Sequence, residues 1–94
     1  MKIPSKIKIS GIWFTVLFRD TAKDEQVENH GYSDFSNCKI VIDSRLHQQE
    51  QESTLIHEII EVINYRNELG MEHKQIMSLE NNLYQVLKDN NLLK

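Results

Sequence analysis

The sequence predicts an α+β fold in which a small antiparallel β-sheet is followed by a two-helix hairpin. The first observation is a change of period. Apolar side chains alternate with their neighbours in the first half of the chain and recur at helical spacing from Ser44 onward. The second is length, because 94 residues are enough for one hydrophobic core and not for two. We therefore expect residues 1–94 to form a single domain.

Three segments of the first half account for the predicted sheet. In KIKISGIWFTVLF, residues 6–18, alternation predicts one long bent strand or two short strands, with Gly11 as a turn or bulge. Residues 19–37 are polar and rich in turn-forming side chains, which predicts a loop or a weak edge strand. CKIVIDS, residues 38–44, then predicts a further strand because its isoleucines share one face.

The second half predicts two helices. The first begins between residues 46 and 53 and ends at 67 or 68, where Gly70 supplies a stop. The second extends from about residue 71 to about residue 90. At about 100° per residue, the apolar side chains of the first helix fall within an arc of roughly 160°, which we expect to pack against the sheet. They are Leu55, Ile56, Ile59, Ile60, Val62 and Ile63.

Composition and charge argue against several classes of protein. The formal net charge is -3 and Lys and Arg form no runs, so no nucleic-acid partner is expected. Cys38 is the only cysteine, which rules out an internal disulfide or a Cys-x-x-Cys metal site and favours a small buried side chain. No apolar run resembles a signal peptide or a membrane span. We expect a soluble protein of the cytoplasm, without membrane association.

The segment STLIHEIIEVINY, residues 53–65, carries the main candidate site. His57 and Glu61 lie outside the apolar arc, one turn apart on the same side of the helix. Two side chains at this spacing can hold a metal ion together, because their coordinating atoms converge in front of the turn between them. The alternative is a hydrogen-bonded surface pair that contributes about a few tenths of a kcal/mol.

A third ligand would have to come from the second helix. His73 and Glu80 lie two turns apart on one flank of its apolar stripe. In a tight antiparallel pair, that flank could face the His57/Glu61 side of the first helix. With His73, the set has two histidines and one carboxylate, and Glu80 is the reserve ligand. The other two histidines, His30 and His47, lie in predicted loops, and no spacing connects them to the motif.

A family resemblance supports this interpretation. The run SDFSNCKIVIDSRLHQQEQESTLIHEIIEVIN, together with LENNLYQVLKDNNLL, resembles the small zincin-like metallopeptidase-type proteins of phages and prophages. In that family, a short strand with an aspartate and alternating isoleucines leads into a helix with the motif TLxHEIxH or TLxHEIxE, and a second helix follows. The resemblance covers most of the chain, and residues 32–92 are the most telling. It implies a minimal zincin-like fold.

The resemblance also implies roles for individual residues. His57 and Glu61 would be ligands of Zn²⁺, with His73 as the expected third ligand, and Glu58 would be the general base of metal-assisted hydrolysis. Glu61 stands where the peptidases usually have histidine. A peptide substrate could add as an extra strand beside CKIVID.

The sequence is also compatible with a second function, which is not enzymatic. The zincin-like frame could serve as a binding module without catalysis, sequestering or inhibiting a host protein, in the cytoplasm of the host cell if the chain is phage-encoded.

Overall fold

A computed structural model describes residues 1–24 and 30–93 and confirms the α+β fold. In these residues, four β-strands precede two α-helices, and a short 3-10 helix follows the second strand. The elements are β1 (Lys6–Ile9), β2 (Ile12–Arg19), the 3-10 helix (Thr21–Asp24), β3 (Gly31–Asp34), β4 (Lys39–Asp43), α1 (Gln48–Arg66) and α2 (His73–Asp89). No helix in this part of the chain is long and apolar enough to cross a membrane.

The four strands form one sheet in the order β1-β2-β4-β3. β1 and β2 are antiparallel and are joined by a tight turn in which Ser10 and Gly11 both have positive φ, 49° and 80°. β3 and β4 are also antiparallel, but β2 and β4 run parallel. The sheet is therefore mixed, and the prediction of a wholly antiparallel sheet is wrong for this pair. A parallel pair needs a crossover of about a dozen residues or more, which residues 20–38 supply.

α1 lies between the sheet and α2 and buries apolar side chains toward both. The predicted apolar arc is therefore divided. Leu55 and Val62 join the core against the sheet, whereas Ile56 and Ile60 pack with Ile76 of α2. Ile63, which belongs to the predicted arc, is 37% exposed because neither layer covers it fully. The sheet-side core comprises Ile9, Phe14, Val16, Ile40, Ile42, Leu55 and Val62, with Cys38 half-buried against it.

The turn between the helices determines where α2 begins. The backbone N–H of Met71 donates to Oδ1 of Asn64 at 2.9 Å, which ties the turn to the end of α1. Glu72 caps α2 through a capping box: its N–H donates to Oε1 of Gln75 at 2.8 Å, and its side chain accepts from the Gln75 N–H. α2 therefore starts at His73 and runs back along α1, as the predicted hairpin requires.

Candidate functional site

A cavity of about 250 Å³ opens between α1, α2 and the start of β3. Both helices and the edge of the sheet contribute side chains to its wall, and three of the chain's four histidines are among them. The wall is formed by His30, Gly31, Thr54, His57, Glu58, His73, Met77 and Glu80. The His73/Glu80 flank of α2 lies beside His57, as predicted, but the described wall does not include Glu61.

His57 is held in place from the second helix. Its Nδ1 lies 2.8 Å from Oε1 of Glu80, and Oε2 of the same carboxylate accepts a 2.5 Å hydrogen bond from Oγ of Ser53. Ser53 and His57 are one turn apart on α1, so Glu80 bridges two groups on the same helical face. With Glu80 ionised, Nδ1 is the donor of this pair, and the lone pair of a neutral His57 ring is on Nε2.

His73, the first residue of α2, places a second imidazole beside the first. The centres of the His57 and His73 rings are 5.7 Å apart, and the ring planes meet at 62°. With metal–nitrogen bonds of about 2.0–2.1 Å, two imidazoles on one tetrahedral ion have their centres roughly 5 Å apart. However, no three His, Cys, Asp or Glu side chains within residues 1–24 and 30–93 form a group placed to hold a metal ion. Bound zinc therefore stays a prediction.

Glu61 lies apart from the other two predicted ligands. The described wall of the cavity includes His57 and His73 but not Glu61, whose side chain is half-buried. Its carboxylate is nevertheless close enough for its charge to act on Glu58. Glu80, the reserve ligand, is the α2 carboxylate that lines the cavity.

Glu58 is buried, although it lies outside the predicted apolar arc of the first helix. Only 5% of it is exposed, and Oγ of Ser33 on β3 donates to its Oε1 at 2.7 Å. Burial raises the pKa of the Glu58 carboxyl, and the charges of Glu61 and Glu80 act in the same direction, against the Ser33 hydrogen bond and the charge of His57. A helical-wheel argument missed this burial because β3 covers a second side of α1.

Among the described strands, the edge strand of the sheet beside the cavity is β3, not β4. β4 pairs with β2 on one side and with β3 on the other, so an added peptide strand cannot lie next to CKIVID. The expected position of a peptide substrate is therefore corrected. β3 occupies the edge, and its first residue, Gly31, belongs to the wall of the cavity.

His30 and Gly31 are the site residues that the sequence did not indicate. A side chain at Gly31 would place its Cβ 2.5 Å from the Val41 carbonyl oxygen and 2.7 Å from Cγ2 of Thr54, so β3 packs closely against α1 at this point. The carbonyl of His30 accepts the N–H of Asp43 at 2.8 Å. This hydrogen bond anchors the His30 backbone at the cavity. His30 lies 27 residues before His57, and no sequence spacing connects the two histidines.

Comparison with family models, curated proteins and solved structures gave no match to this chain. The resemblance to zincin-like proteins therefore stays a prediction, and the case for a function depends on the residues around the cavity.

Proposed function

We propose that this chain is a zincin-like protein that binds Zn²⁺ in the cavity between α1, α2 and β3. His57 and Glu61 are the ligands that the sequence motif predicts, and His73 adds a second imidazole from α2. The observation that carries the proposal is the pair of imidazoles on one cavity, with the Nδ1 of His57 occupied by Glu80. A histidine that binds metal through one ring nitrogen usually donates the other to a carboxylate or carbonyl.

The donor chemistry of the cavity fits a divalent cation. Glu58 and Glu80 line the cavity, and Glu61 is near enough for its charge to act on Glu58. Carboxylates gathered in this way repel one another, and a cation between them relieves the repulsion. Two imidazoles favour zinc over calcium or magnesium, which prefer sites made of oxygen ligands alone.

Zinc binding is tested by isothermal titration of the metal-free protein with ZnCl₂, together with elemental analysis of protein purified without chelator. We expect one zinc ion per chain, and at least about 100-fold weaker binding in His57→Ala and in His73→Ala, since even outer-shell changes cost roughly 10–100-fold. His47→Ala is the matched control, because His47 is exposed at the start of α1 and outside the described cavity wall. Wild-type protein that takes up no zinc at neutral pH would contradict the proposal.

If the protein is an enzyme, Glu58 is positioned to accept a proton. Zinc, when bound, would supply a water of pKa about 7 and polarise a substrate carbonyl. Oε1 of Glu58 is engaged by Ser33, which leaves Oε2 as the oxygen to take the proton. The raised pKa of the buried carboxyl suits a group that first accepts and then returns a proton. A peptide would align along β3, the edge strand beside the cavity.

Hydrolysis of a peptide library by the zinc-loaded protein tests the catalytic version of the proposal. We expect Glu58→Gln to retain zinc, because Glu58 is not a ligand, and to lose hydrolysis. Equal hydrolysis by wild type and Glu58→Gln would show that Glu58 is not the base.

The second candidate is a binding module for a host protein. It is favoured by an exposed apolar strip on α2, formed by Leu79, Leu83 and Val86, which are 43–47% exposed and recur at helical spacing. If a partner binds through this strip, Leu83→Asp should abolish its binding and Glu58→Gln should retain it. The reverse pattern would place recognition in the cavity.

A further inference from the structure

Glu61 is the weakest of the three predicted ligands of the proposed zinc site. Glu61 is half-buried and does not belong to the described wall of the cavity, whereas His57 and His73 do. Its place in the ligand set comes from its position one turn after His57 and from the family resemblance. The wall of the cavity includes another nitrogen donor, at the residue just before β3.

His30 is that donor. Its backbone is anchored by the 2.8 Å hydrogen bond from the Asp43 N–H, and the next residue, Gly31, starts β3 in close contact with Thr54 of α1. The His30 side chain is exposed, and within residues 1–24 and 30–93 its ring makes no hydrogen bond or ion pair. The ring can therefore reorient toward the cavity without breaking a contact in the described structure, while its Cα stays in place.

We propose that His30 is the third protein ligand of the zinc site, in the position that the sequence motif gives to Glu61. The inference rests on the proposed zinc binding and names the ligand set as His30, His57 and His73. It joins the edge strand of the sheet to both helices through the metal. The three histidines then leave one position of a tetrahedral ion for water or substrate.

Charge and ligand type both favour this set. Three neutral imidazoles leave the charge of the ion undiminished, which keeps the bound water acidic, whereas a carboxylate ligand would lower its acidity. The carboxylates of Glu58 and Glu80 then balance the ion from outside the ligand shell, where Glu80 already holds His57. Glu61 would remain a peripheral charge.

The first test compares zinc affinity in matched variants by competition with a chelator of known affinity. We expect at least about 100-fold weaker binding in His30→Ala, as for loss of a ligand, and less than about 3-fold in Glu61→Gln. His47→Ala serves as the control for removal of an exposed imidazole. Circular dichroism of each metal-free variant confirms that the fold is intact, which we expect for His30→Ala because the side chain is exposed.

The second test reports the ligands directly. In protein labelled with ¹⁵N-histidine, zinc should move one ring nitrogen resonance of each of His30, His57 and His73, and leave His47 unchanged. A wild type that binds zinc through His57 and His73 while His30 does not respond would overturn this inference and leave the proposed function intact. So would Glu61→Gln weakening zinc binding more than His30→Ala. A wild type that binds no zinc at all would overturn both.

Discussion

His57 and Glu80 form a hydrogen bond across the helix pair, with Nδ1 and Oε1 2.8 Å apart and both side chains at least 85% buried. Ser53 binds the second oxygen of Glu80, so the carboxylate cannot rotate away from the ring without breaking another contact. The pair therefore determines both the orientation and the tautomer of His57 before any ligand arrives. The two helices, which also pack Ile56, Ile60 and Ile76 together, meet here through a polar group that faces the cavity.

Removal of this carboxylate should weaken metal binding although Glu80 is not itself a ligand. We expect Glu80→Ala to lower zinc affinity roughly 10–100-fold, because His57 loses the partner that orients it. Glu80→Gln should recover part of the loss, since an amide oxygen still accepts from Nδ1. Glu50→Ala, at an exposed position on α1, is the control. Titration with zinc measures the three affinities, and a Glu80→Ala protein with wild-type affinity would contradict the assignment.

The buried carboxyl of Glu58 should cost the metal-free protein stability at neutral pH. Burial raises the pKa of Glu58 above its unfolded value, so the contribution of this group is most favourable below the unfolded pKa and is lost as pH rises through the folded pKa. Glu58→Gln keeps an acceptor for Ser33 and should be more stable than wild type at pH 7, by about 1 kcal/mol. The difference should shrink at pH 4. Urea unfolding in the presence of chelator at both pH values checks this, and a less stable variant at pH 7 would refute it.

A second polar contact between the helices should contribute to stability without affecting zinc binding in the cavity. The Tyr84 hydroxyl donates to Oε1 of the buried Glu52 at 2.6 Å. Tyr84→Phe removes one donor from a buried carboxylate, and we expect a loss of about 1–3 kcal/mol in the free energy of unfolding. Tyr65→Phe, at a 58% exposed position, is the control and should change it by less than about 0.5 kcal/mol. Zinc affinity should be unchanged in both variants, and an equal loss in both would argue against the Glu52 contact.

Acid should remove a stabilising interaction at the end of β4. The Arg45 side chain donates to both oxygens of Asp43, at 3.0 and 2.8 Å, and lowers the pKa of Asp43 from its usual 3.8 to about 2. Since the folded pKa is the lower one, this stability is present above the unfolded pKa and is lost as the pH falls from about 4 to about 2.

The replacement of Asp43 by Asn tests this dependence in the metal-free protein. The variant should be less stable than wild type at pH 6, by about 1 kcal/mol because Arg45 is half-exposed and its charge is screened. The two proteins should converge near pH 2. Thermal melts across this pH range measure the difference in stability between the two proteins. A difference that does not change with pH would show that Asp43 is not the titrating group.

Local patterns in the sequence predicted the helices and identified half of the residues that line the cavity. α1 ends at Arg66 and α2 extends from His73 to Asp89, within two residues of the predicted limits, because glycine stops and apolar spacing act over a few residues. The approach of the His73/Glu80 flank to His57 followed from the same spacing. α2 packs on α1 with only part of its apolar stripe, because Ile76 is buried whereas the exposed strip of α2 is not covered by α1.

Features that depend on distant pairing could not be predicted in this way. The alternation of β2 and β4 shows which side chains share a face but does not give the relative direction of two strands separated by residues 20–38. The burial of Glu58 depends on β3 lying over a second side of α1. The presence of His30 in the cavity depends on the same strand, which in the sequence is a short polar segment.

Gly31 is the residue that allows β3 to lie against α1, and its substitution should disturb both the fold and the site. In Gly31→Ala, the new Cβ would lie 2.5 Å from the Val41 carbonyl oxygen and 2.7 Å from Cγ2 of Thr54. Thr54 can adjust its side chain, but the carbonyl belongs to the strand that pairs with β3. We expect a loss of about 1–3 kcal/mol in the free energy of unfolding, from overpacking of a close contact.

A second substitution separates the two contacts. Thr54→Ser removes Cγ2 and leaves the Val41 carbonyl in place. The cost of Gly31→Ala should therefore be only partly smaller when it is introduced into the Thr54→Ser protein, with Thr54→Ser alone as the reference. Full recovery would assign the whole effect to the threonine methyl, whereas an unaltered Gly31→Ala protein would show that β3 does not lie this close to α1. Because His30 directly precedes Gly31, movement of β3 away from α1 should also weaken zinc binding, and chelator competition on the same variants measures that coupling.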